Sequence, residues 1–108
     1  MTMHPEDHEI LTEFAQHIHA RFPEAEVHAF GSRARGSAQA DSDFDLCVIL
    51  KDEVDVQSRH AIQDIAWNIG FEHGLVLTVL CFGKDEFYQG PRSASGLAKA
   101  ILRDGVRA

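Results

Sequence analysis

The sequence is short of positive charge. Ten Lys and Arg stand against seventeen Asp and Glu, a formal net charge of −7. Affinity for a phosphate backbone comes from clustered Lys and Arg, so this balance argues against direct contact with nucleic acid and fits a basic protein partner better. Long apolar runs are also missing, and none approaches the ~20 residues that span a bilayer. The opening MTMHPEDHE lacks the basic-then-apolar order of a secretory signal. The expectation is a cytoplasmic protein with no membrane contact. Cysteine is scarce: Cys47 and Cys81 each fall within a predicted strand and share no metal-ligand spacing, which predicts buried, reduced thiols rather than a disulfide. The seven histidines form no ligand set; His17 and His19, two apart on a helix, do not face one another. A zinc site is not expected. At 108 residues the chain reads as one domain, 1–108, able to bury a core but with no room for a second.

What is present concentrates between Phe30 and Leu50, FGSRARGSAQADSDFDLCVIL. Asp43 and Asp45 open an apolar run. On a strand, residues i and i+2 share a face, so both carboxylates project together while Phe44 and Leu46 turn the other way. Parallel carboxylates repel unless a cation lies between them, and an oxygen-only site suits Mg²⁺. Upstream, Gly31 and Ser32 follow a predicted strand, Val27 to Phe30, and precede a helical turn. Such a bend aims backbone N–H groups at an anion. A phosphate grip and a metal clamp on one short segment point to a metal-bound nucleotide.

The rest reads as a scaffold. Met1 to His4 look frayed. Pro5, Glu6 and Asp7 suit a helix start, and Ile10, Leu11, Phe14, Ile18 and Phe22 recur at helical spacing until Pro23. Gly31 to Ser42 is loop and helical turn, broken at Gly36. Phe44 to Leu50 is apolar on both parities beyond Asp45, the mark of a strand covered on both faces. A helix is predicted over Val56 to His73, stopped by Gly74. Leu75 to Phe82 reads as a third strand, Lys84 to Tyr88 as a helical turn, Gly90 to Gly96 as a loop, and Leu97 to Asp104 as a last helix capped by Gly105. The order α-β-α-β-α-β-α predicts an α+β fold, helices packed on a small mixed β-sheet. Trp67, Phe71 and Phe82 read as core or partner-facing residues, and Asp41 as a turn residue bonded to local backbone.

Gly31-Ser32, then the ten residues Arg33 to Ser42, then Asp43-Phe44-Asp45 resembles the signature of the DNA polymerase β-like nucleotidyltransferase superfamily, and a chain this short resembles its minimal members. The resemblance implies a palm-like fold and a reaction with ATP or another NTP. It implies that Asp43 and Asp45 hold Mg²⁺, that Gly31 and Ser32 bind phosphate, and that Arg33 or Arg35 neutralises the pyrophosphate leaving group. Arg33 and Arg35 read equally as solvent-facing loop arginines. The family's third carboxylate would fall near Thr78, where this chain has none; Asp64, Glu72 and Asp85 are the nearest substitutes. Minimal members are often paired with a HEPN-type toxin, so the resemblance implies transfer of AMP to a hydroxyl on such a partner. The alternative is an antitoxin that acts by binding alone, with turnover weak or lost. A small-molecule transferase is the weaker third reading, since the chain has no acceptor domain.

Overall fold

A computed structural model describes residues 2–90 and 96–108. Helix α1 (Pro5–Arg21) begins on proline with Glu6 and Asp7 in its first turn, where acidic side chains meet the positive end of the dipole. Strand β1 (Glu26–Phe30) runs directly into the five-residue helix α2 (Gly31–Arg35), which Gly36 closes in the left-handed conformation. Strand β2 (Phe44–Leu50) follows. Helix α3 (Val56–His73) is capped by Asp55, whose carboxylate accepts from the Ser58 N–H at 2.7 Å. Then come β3 (Leu77–Gly83), α4 (Lys84–Gln89), α5 (Gly96–Asp104) and β4 (Val106–Arg107).

The four strands form one mixed sheet in the order β3-β2-β1-β4. β1 is antiparallel to both β2 and β4, while β2 and β3 are parallel and joined through α3. Strand alternation then divides the molecule. Val27, Ala29, Phe44, Leu46, Val48, Leu50, Leu77, Val79 and Cys81 face α1 and α3 and make the main core with Leu11, Phe14, Ile18, Ile62 and Ile69. Cys47 and Ile49 face the other way, against Phe87 of α4 and Ala98 and Ile101 of α5, with Phe30 and Phe82 at the margin. Cys47 and Cys81 therefore lie on opposite faces of the sheet, both free and buried. Burial and then the neighbouring Cys81 push the Cys47 thiol up to about 12, so it stays protonated.

The expected α+β architecture stands, and three local expectations are corrected. A fourth strand exists: Val106 pairs with Ala29 and Arg107 with His28. Two residues carry no readable alternation, so only the pairing reveals it. The third strand starts at Leu77 rather than Leu75, because the Leu75 N–H bonds back to the Gly70 carbonyl at 2.9 Å and completes the end of α3. Of the segment expected to fray, Thr2 and Met3 are held: Met3 packs on the core, and the Thr2 carbonyl abuts Gly36. Of the two readings open for Trp67 and Phe71, core or partner-facing, the core one falls, since they are 74% and 82% exposed. Most of the loop expected over Gly90 to Gly96 lies outside the described residues.

Candidate functional site

The register of β2 is what exposes its acids. Phe44 is completely buried, a contribution of about 1.5–3 kcal/mol for a side chain of this type. Turning Phe44 inward turns Asp43 and Asp45 outward, and a one-residue slip would drive both carboxylates into the core. Asp43 is exposed just before the strand and Asp45 is half-buried within it. Burial, and after it the charge of Asp43, hold the Asp45 carboxyl above its ordinary value, against an opposing pull from Arg35. The two acids thus sit close enough to repel. An oxygen-only pair of mutually repelling carboxylates fits a hard divalent cation.

The glycine bend lies against this pair. Phe30, the last residue of β1, is the register partner of Asp45, so Gly31 emerges beside the Asp45 carboxylate. Its φ is +75°, and an added Cβ would collide with Asp45 Oδ2. The first-turn N–H groups of α2 have no intrahelical acceptor, and they begin at this contact. Ser32 is half-buried there, and its carbonyl accepts from the Ser37 N–H at 3.0 Å, which folds the following loop back on α2.

The two loop arginines divide. Arg35 is exposed and its charge reaches both Asp45 and Asp104. Arg33 is buried, which corrects its reading as a solvent-facing residue. Its guanidinium donates to Asp7 Oδ1 at 2.8 Å, to the Ala40 carbonyl at 2.9 Å and to the Ser42 carbonyl at 3.0 Å. It thereby pins the loop that delivers Asp43 to the first turn of α1. Asp41 does not close this turn. Ser42 does: its N–H donates to the Gln39 carbonyl at 3.0 Å and its hydroxyl accepts from the Gln39 N–H at 3.2 Å.

Thr78 is the β3 partner of Asp45 and is exposed on the same face. The three candidate substitute acids stand elsewhere. Asp64 and Glu72 belong to α3, which covers the opposite face of the sheet. Glu72 gathers there with Glu13 and His73, their ligand atoms within 4.8 Å of one another, and His73 Nε2 meets Glu13 Oε2 at 2.9 Å. Asp85 lies on α4, beyond Gly83, which ends β3 five residues and roughly 17 Å along the strand from Thr78. Sequence reasoning misses two acids. Asp7 reads there only as a helix-start residue, and Asp104, at the end of α5, lies within the influence of Arg35. Nothing in the local pattern of either residue signals its long-range partner.

A family model described as "Nucleotidyltransferase domain" matches residues 11–104. No curated protein matches the sequence. Among solved structures, the chain is similar to one described as a toxin-antitoxin with AMP-PNP, with a TM-score of 0.63 and 19% identity over 89% of this chain and 69% of that one. It is also similar to a mutant of the toxin-antitoxin MntA-HpeT in which two aspartates two positions apart are replaced by glutamate. There the TM-score is 0.60 and the identity 18%, over 94% of this chain and 70% of that one. At such identities the likeness is one of fold.

Proposed function

This chain belongs to the nucleotidyltransferase domain family, and from that premise we propose that it moves AMP from MgATP to a hydroxyl on a partner protein, acting in the cytoplasm as the antitoxin that silences a HEPN-type toxin. The observation that carries this reading is the contact of Gly31 with the Asp45 carboxylate. It brings a phosphate-binding bend and a cation-binding pair within the reach of one nucleotide. Asp43 and Asp45 would hold Mg²⁺, which when bound neutralises triphosphate charge. The Gly31 and Ser32 backbone would orient the phosphates, and Arg35 would face charge developing on the leaving pyrophosphate. A bond forms between the acceptor oxygen and the α-phosphorus as the bond to pyrophosphate breaks. The two solved structures described above are toxin–antitoxin proteins, one with AMP-PNP and one altered at an aspartate pair with the spacing of Asp43 and Asp45.

A second reading has its own observation. The residue beside Asp45 on β3 is Thr78, which offers no carboxylate to accept the acceptor's proton. An antitoxin that binds nucleotide and partner without turnover fits that substitution. The test is to incubate the protein with labelled ATP, Mg²⁺ and the protein encoded beside it. Label on the partner that disappears with Asp43→Asn supports transfer. Neutralisation of the partner by Asp43→Asn, with no label in either case, supports binding alone.

A further inference from the structure

The two most exposed aromatic residues among those described share one border. Trp67 and Phe71, four apart on α3 and so on one face of it, are 74% and 82% exposed, and Val76 just before β3 is 62% exposed. With Ala66, Gly70 and Leu77 they border a groove of about 430 Å³ between α3 and β3, which also receives Gln63, Gly74 and Leu75. β3 is an edge strand of the sheet. Aromatic side chains bury on the order of 150–250 Å² each when covered. Two of them beside an exposed valine form a larger apolar area than scattered surface residues leave.

Position and charge say what covers it. The Val76 carbonyl accepts from the Phe44 N–H at 2.9 Å, and Phe44 lies between Asp43 and Asp45. The groove therefore opens at the end of the sheet that carries the acids, on its α3 side at the β3 edge, and a protein seated on it meets them by reaching round that edge. None of the groove's described lining residues is charged, but Asp64 is exposed on α3 seven residues before Phe71, on the same face. A second copy of the chain would bring a net charge of −7 against −7. We infer that the groove of Trp67, Phe71 and Val76 is where the acceptor protein docks, through an amphipathic helix whose apolar face enters the groove and whose Lys and Arg meet Asp64. This rests on the reading that the chain acts on a partner protein, and it deepens that reading by naming the surface that selects the partner.

The test uses Trp67→Ser/Phe71→Ser, Asp64→Asn and the wild type, with the protein encoded beside it as the probe. Affinity is measured by calorimetry at low and high salt, and labelled-AMP transfer is measured over a range of partner concentrations. Both aromatic rings are exposed, so circular dichroism and Tm of the first variant should match the wild type. The expected result is at least tenfold weaker binding and a KM for the partner raised in proportion, with kcat kept. The acid variant should bind more weakly and lose much of the salt dependence. Unchanged affinity in the aromatic variant overturns the proposal, as does a wild type that does not bind this partner. So does light scattering that shows a dimer dispersed by the aromatic substitutions, which would assign the groove to a second copy. If the wild type transfers no label yet the aromatic variant loses binding, docking stands and the transfer reading falls. If the variant labels the partner with unchanged KM, transfer stands and docking falls.

Discussion

Gly31 and Asp45 face each other so closely that no side chain fits between them: at φ +75°, a Cβ on Gly31 would strike Asp45 Oδ2. Glycine is needed here twice over, for the left-handed backbone and for the missing atom. An L-residue in that conformation costs about 1–2 kcal/mol, and Gly31→Ala adds the collision with the carboxylate. Gly74, at φ +69° with open space where a Cβ would stand, supplies the control. Gly74→Ala should show only the conformational cost in urea unfolding. Gly31→Ala should lose more stability and, unlike the control, lose metal-dependent nucleotide binding.

The arginines two apart on α2 should separate stability from chemistry. Arg33 and Asp7 form a buried pair, each side chain 7% exposed. Breaking such a pair typically costs about 3–5 kcal/mol because the remaining charge is stranded. Arg33→Ala should therefore unfold at markedly lower denaturant concentration. Arg35→Ala, at an exposed position, should stay within about 0.5 kcal/mol of the wild type while slowing AMP transfer. Equal stability losses in the two variants would contradict this division.

Much of this is legible in the sequence, and for physical reasons. The Phe44 to Leu50 run fixes its own register, because only one parity buries Phe44 and Leu46. Gly31 and the aspartate pair carry their chemistry in local order. Arg33 is legible as a loop cation but not as a brace, since its partner Asp7 is 26 residues away. β4 is hidden because two residues have no period, and Trp67 because its neighbours Ile62, Ala66 and Ile69 make the helix look covered where it is open. Local pattern shows which face is apolar; it does not show whether the fold has enough mass to cover it.

Asp45 should impose a pH dependence on stability. Burial and the charge of Asp43 raise its carboxyl in the folded protein, so ionising Asp45 works against folding. The sign follows: the penalty is absent below the unfolded carboxylate value of about 3.9 and grows as pH rises through the elevated folded value. Relative to the wild type, Asp45→Asn should gain Tm between about pH 4 and neutrality, while losing nucleotide transfer. Saturating Mg²⁺ should narrow the gap by stabilising the wild type alone. A constant Tm difference across that range would contradict the account.

Thr78→Asp should place a third carboxylate beside Asp45, since the two positions pair across β2 and β3 on one face, with strands about 4.8 Å apart. Without metal, the added like charge should lower Tm. With Mg²⁺, the variant should bind the cation more tightly and transfer AMP faster than the wild type. Metal titrations that superimpose for the two proteins would show that position 78 does not reach the site.

The most direct measurement is calorimetric titration of a non-hydrolysable ATP analogue into the wild type and into Asp43→Asn/Asp45→Asn, each with Mg²⁺ and with EDTA. The account predicts binding only by the wild type and only with Mg²⁺. Equal affinity with the metal chelated, or with both acids neutralised, would contradict it.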